Sequence, residues 1–73
     1  MQPSADIPAS MLRREVIFEF YPIGPYVRVA AMDAASLTEI SVQCYSNSSQ
    51  EFMKRQALKR LAYILKKKGI IKD

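Results

Sequence analysis

The chain has no histidine, no tryptophan, one cysteine and two glycines among its 73 residues. Each shortage removes a class of chemistry. Without histidine there is no Ser-His-Asp or Cys-His catalytic set. One thiol and no imidazole leave a structural zinc site without ligands. A single cysteine excludes a disulfide framework within one chain. Gly24 and Gly69 stand alone and supply no phosphate-cradling loop. No apolar run approaches the ~18 residues of a membrane span. Residues 1–12 are polar and start without positive charge, unlike a signal peptide. The expected setting is therefore the cytoplasm, where reducing conditions suit a lone cysteine. No cofactor and no metal are expected.

What is present is a globular composition, 49% hydrophobic and 25% charged, in a length that allows one domain. The net charge of +4 is unevenly spread. Residues 1–40 carry Arg13, Arg14 and Arg28 against Asp6, Glu15, Glu19, Asp33 and Glu39. Residues 41–73 carry Lys54, Arg55, Lys59, Arg60, Lys66, Lys67, Lys68 and Lys72 against Glu51 and Asp73. The first part is net acidic and the second strongly basic. Such polarity points to a charged face and an anionic partner, although a solvated helix face produces the same pattern.

Residues 1–12 mix Pro, Ser, Ala and Asp without a period and read as a flexible N-terminal tail, with ordering by packing expected only near Met11 and Leu12. Residues 13–73 read as the single folded domain. Residues 14–21, REVIFEFY, alternate, with Val16, Phe18 and Phe20 on one face and Glu15, Ile17, Glu19 and Tyr21 on the other. Pro22-Ile23-Gly24-Pro25 breaks the strand with a tight connection. Residues 26–32 alternate again, Val27, Val29 and Ala31 against Tyr26, Arg28, Ala30 and Met32. Asp33-Ala34-Ala35-Ser36 reads as a turn opened by Asp, with a turn of helix as the competing reading. Residues 37–44 give a third strand, Thr38, Ile40, Val42 and Cys44 against Leu37, Glu39, Ser41 and Gln43. Short connections make the three an antiparallel meander.

The helix follows. Ser48 and Glu51 have capping-box spacing, and Ser49 is an alternative cap. The helix is expected from about 49 to 68, with Gly69 ending it. At 100° per residue, Met53, Ala57, Leu58, Leu61, Ile64 and Leu65 form an apolar stripe. Its natural partner is the Val16/Phe18/Phe20, Val27/Val29/Ala31 and Ile40/Val42/Cys44 sheet face. The expected fold class is α+β: a three-stranded antiparallel meander with one C-terminal helix on one sheet face, β-β-β-α.

Two faces remain for function. Away from its stripe the helix gathers Arg55, Lys59, Arg60, Tyr63, Lys66 and Lys67. Cations along one rod can follow a phosphate backbone. Tyr63 and Phe52 could stack on bases or pack on a partner. Lys and Arg are also simply good exposed helix formers. The second sheet face offers Ile17, Tyr21, Tyr26, Met32 and Leu37 as a candidate interface. Self-association is a live expectation because a core of this size barely offsets chain ordering.

Other candidates carry less. Cys44 is expected as a buried, inert thiol. Glu15 and Glu19 share a strand face about 13 Å apart, beyond glycosidase carboxylate spacings. A short chain offers little concave volume for a substrate pocket, so an enzyme is not expected.

The pattern resembles a family of short, functionally uncharacterised alphaproteobacterial proteins. The residues that carry it are Glu15-Val16, Glu19-Phe20, Val27-Arg28-Val29, Ala31-Met32-Asp33, Thr38-Glu39-Ile40-Ser41, Ser49-Gln50, Leu61, Tyr63, Leu65 and Lys68-Gly69. The likeness covers about residues 14–69 and implies no activity. In order of elements the chain is also similar to the latter part of a double-stranded-RNA-binding domain. Here the helix opens with Gln50-Glu51-Phe52-Met53, without a lysine cluster. The expected function is a small non-enzymatic binding module, with RNA or DNA contacting the basic helix face. The alternative is a homodimeric or accessory subunit, joined to itself or to an acidic protein.

Overall fold

A computed structural model describes residues 7–72 of the chain. β-branched and aromatic residues with period two build strands β1 (Val16–Ile23), β2 (Tyr26–Asp33) and β3 (Thr38–Tyr45). They pair antiparallel in the order β1-β2-β3. One helix, α1 (Gln50–Lys67), follows. The arrangement is the expected α+β β-β-β-α meander.

β1 runs through Pro22, where the sequence suggested a break. The register explains this. Ile23 pairs with Tyr26 across a two-residue loop, Gly24-Pro25. Hydrogen-bonded and non-hydrogen-bonded pairs alternate along the ladder, so the missing N–H of Pro22 faces the open edge. Gly24 has φ +58 at the first loop position, the requirement of a type II′ hairpin.

The β2–β3 turn is built around a charge. Asp33 is fully buried at the end of β2. Arg14 grips it as a fork, Nε to Oδ1 and Nη2 to Oδ2, both at 2.9 Å. The backbone N–H and hydroxyl of Ser36 also donate to Oδ2, at 3.1 and 2.6 Å. The Ser36 and Thr38 hydroxyls lie 2.9 Å apart. The Leu37 N–H donates to the Asp33 carbonyl at 2.7 Å, and Leu37 itself sits at φ +60. Residues 34–37 thus form a four-residue loop between Asp33 and Thr38, closed by one bond of the spacing of a single helical turn.

Ser49 caps α1, its hydroxyl accepting from the Phe52 N–H at 3.1 Å; of the two serines considered, the cap is Ser49. At the other end Gly69 takes φ +76. The Gly69 N–H donates to the Lys66 carbonyl and the Ile70 N–H to the Leu65 carbonyl. This is a Schellman stop, with Ile70 folded back against the core.

Met53, Ala57, Leu61, Ala62 and Leu65 are buried on α1. They meet Val27, Val29, Ala31 and Cys44 in one cluster, joined by Met11 and Ile71. The helix lies over β2 and β3. Val16, Phe18 and Phe20 of β1 stay partly buried at the margin of this cluster. Fully burying each large apolar side chain contributes roughly 1.5–3 kcal/mol.

Residues 7–12, expected within a flexible tail, are placed by this core. A 3-10 helix spans Ala9–Arg13 and buries Met11, while Ile7 packs against the cluster. Residues 1–6 and 73 lie outside the described residues.

Candidate interaction faces of the helix and the sheet

No Gly or Pro interrupts α1, so its outward side chains project at regular angles. Arg60, Tyr63 and Lys67 share one row at i, i+3 and i+7. The Arg60 guanidinium and the Lys67 ammonium each lie 5.6 Å from the Tyr63 ring centroid. The exposed ring thus holds two cations in one place. Lys66 is exposed beside this row, whereas Arg55 and Lys59 are half-buried on the other flank. The expected set is therefore divided: Arg60, Tyr63, Lys66 and Lys67 form the accessible group. Lys66 and Lys67 also occupy the last helical turn, where the helix dipole favours cations. Phe52 is exposed in the first turn, away from this group. Lys54 reaches over the Phe18 ring, 5.6 Å from its centroid, and its head stays exposed.

The sheet has a bare outer face. The register sets it in four cross-strand rows: Ile23–Tyr26–Tyr45, Tyr21–Arg28–Gln43, Glu19–Ala30–Ser41 and Ile17–Met32–Glu39. All of these residues are exposed except Ala30, which is buried, and Met32, which is half-buried. Tyr26 and Tyr45 stack at 5.3 Å between centroids. The Arg28 guanidinium sits 4.5 Å above the Tyr21 ring. The Tyr21 hydroxyl donates to the Glu19 carboxylate, which pushes the phenol above its ordinary pKa. Next to Arg28, small Ala30 leaves a depression of about 230 Å³ lined by Ile17, Glu19, Met32 and Glu39. Ala30 is its floor and is only 3% exposed.

Of the expected interface residues, Ile17, Tyr21, Tyr26 and Met32 share this face. Leu37 does not. It belongs to the β2–β3 turn, because β3 starts one residue later than its alternation suggested. Two exposed apolar side chains of the face escaped the sequence reading, Ile23 and Tyr45. Ile23 was hidden by the prolines on either side. Tyr45 continues the Glu39, Ser41, Gln43 alternation and could have been found by extending the strand one residue.

Cys44 is buried and free, as expected. Among the described residues no group of three or more His, Cys, Asp or Glu side chains could hold a metal ion. No described helix is long and apolar enough to cross a membrane. No curated protein and no solved structure matches the chain. A family model described as a domain of unknown function, DUF6898, matches residues 13–68. That span includes all three strands, the helix and both exposed faces, and the chain belongs to the DUF6898 family.

Proposed function

We propose that the protein is a non-enzymatic binding module that takes nucleic-acid phosphates on the outer face of α1. The observation that carries this reading is the Arg60–Tyr63–Lys67 row, with Lys66 beside it. The ring fixes two cations along the helix axis, so less side-chain freedom is lost when phosphates bind. The outer sheet face carries Glu19 and Glu39 around Ala30 and repels phosphate, so the helix alone does the work. The same reading places the chain in a reducing cytoplasm, which its buried thiol suits, and in the alphaproteobacterial setting that its resemblance implies.

Fluorescence-anisotropy titration of labelled single-stranded and duplex RNA and DNA at low salt tests it. The expected result is micromolar affinity that falls with salt at a log–log slope of about −3, for roughly three to four phosphate contacts. Replacing Arg60, Lys66 and Lys67 together by Ala should weaken binding at least about tenfold and flatten the slope. Affinity no better than millimolar for every probe at low salt overturns the reading.

A further inference from the structure

The outer sheet face holds one cation and one depression that fits a cation. Arg28 has no ion pair among the described residues; its partner there is the Tyr21 ring. Two residues along the same strand, Ala30 floors the depression flanked by Glu19 and Glu39. Within one chain Arg28 is already turned onto Tyr21, so the two features stay apart. In a symmetric pair they meet. Consider a two-fold axis lying between two sheets and crossing the central strand midway between positions 28 and 30. This operation places Arg28 of each copy over Ala30 of the other. It also lays the Ile23–Tyr26–Tyr45 row over the Ile17–Met32–Glu39 row, so that Ile23 meets Ile17, Tyr26 meets Met32 and Tyr45 meets Glu39.

We propose that the outer sheet face is a homodimer interface, in which Arg28 of each copy enters the Ala30 depression of the other, between Glu19 and Glu39. The occupant is a second copy because one face supplies both halves of the contact, as a two-fold interface requires. Charge fixes the register. Centring the axis on Ala30 instead would set Glu19 against Glu19, and centring it on Arg28 would set Arg28 against Arg28, whereas this alignment gives each pair of carboxylates a guanidinium. Burial of Ile17, Ile23, Tyr26 and Tyr45, which are 44%, 53%, 36% and 64% exposed in the single chain, supplies the attraction. Sheets packed in this way stand about 10 Å apart, room for the interleaved tyrosines.

Size limits the strength. Three paired strands of eight residues make a flat footprint of roughly 14 by 26 Å. That lies below the ~800 Å² per partner of a standard interface. The dimer is therefore weak, with a dissociation constant of about micromolar or above. It leaves the outer face of α1 free, so it stands or falls separately from phosphate binding.

Complementary charge variants of the full chain test it by sedimentation equilibrium. The first variant is Arg28→Glu; the second is Glu19→Lys with Glu39→Lys. The wild-type chain should be dimeric at about 100 μM, and each variant alone should associate at least about tenfold more weakly. An equimolar mixture should regain the dimer. In the mixed pair the carboxylate introduced at position 28 of one chain meets the ammonium groups introduced at positions 19 and 39 of the other. The second contact of that pair keeps its wild-type groups. These are surface positions, and unchanged circular dichroism confirms that each variant folds; Arg28→Gln replaces any Arg28→Glu chain that does not. A wild-type monomer up to roughly 1 mM overturns the proposal. So does a dimer that Arg28→Glu or Arg28→Gln leaves intact, or a mixture of folded variants that stays monomeric.

Discussion

The β1–β2 turn and the β2–β3 turn each place one residue at positive φ, and they hold it there by different means. In the first, Gly24 at φ +58 needs no help, because a glycine meets no Cβ penalty. In the second, Leu37 at φ +60 carries a conformational cost of about 1–2 kcal/mol. The surroundings impose it. Asp33 ties the loop down through Ser36 and is itself held by Arg14, which lies before β1. One turn is written in its own two residues. The other is written in a contact across 19 positions of chain. The second turn also sets the start of β3, and with it Glu39 on the rim of the outer-face depression.

Breaking the carboxylate clamp should have the largest effect. Asp33→Asn keeps the shape but removes the charge that accepts the Arg14 fork. Removing one partner of a buried ion pair costs about 3–5 kcal/mol. Arg14 keeps 22% exposure, so part of its charge stays solvated and the low end, about 3 kcal/mol, is expected. Urea unfolding monitored by circular dichroism measures it. The same clamp gives a pH signature. The Arg14 hydrogen bonds, helped by those of Ser36, lower the Asp33 carboxyl from 3.8 to about 2 against the opposing effect of burial. The native chain therefore binds fewer protons at this site than the unfolded chain in that window. The stabilisation is complete above about pH 5 and is lost as pH falls from there through the folded value near 2. Asp33→Asn should remove that component of the acid transition. A variant with wild-type stability and an unchanged acid limb would mean that the clamp does not support the turn.

The contrast between the turns also explains what could be read in advance. Strand alternation, the helix stripe and Gly69 are local signals, and they located the three strands, α1 and the covered sheet face, but not the 3-10 helix at Ala9–Arg13. Gly24 marked its turn for the same reason. Asp33 reads only as a turn opener, because nothing near it says that Arg14 will close on it from 19 residues away. Met11 and Leu12 stand together in a polar segment without periodicity, and only the assembled core decides that Met11 is buried and Leu12 exposed. The helix cations were legible as a set. Which of them gather around Tyr63 depends on side-chain packing, and Arg55 and Lys59 turn out half-buried. On the outer sheet face the depression arises from cross-strand register, since Ala30 creates space only because Glu19 and Ser41 stand beside it.

A smaller effect is expected at the local turn. A Cβ built on Gly24 meets nothing within 4 Å, so Gly24→Ala adds backbone strain without a clash. The cost should be about 1–2 kcal/mol, below that of Asp33→Asn. Thermal unfolding measures it, with a fall of several degrees expected for a chain of this size. Equal losses from the two substitutions would erase the distinction between a local turn and a tertiary one.

The smallest effect runs in the opposite direction. Leu37 is 71% exposed, so replacing it forfeits little buried surface, and its strain is the main term left. Leu37→Gly relieves that strain but makes the unfolded chain more flexible, so a net gain of about 0.5–1 kcal/mol is expected. Leu37→Asn separates the two contributions, because asparagine tolerates positive φ without glycine's added flexibility. It should stabilise by at least as much as Gly. Both substitutions should raise the thermal midpoint and leave self-association unchanged, since Leu37 stands in the turn and not on the outer sheet face. A loss of stability in both would mean that leucine is held there by contacts of its own side chain, and the Asp33 clamp would no longer be what forces it into place.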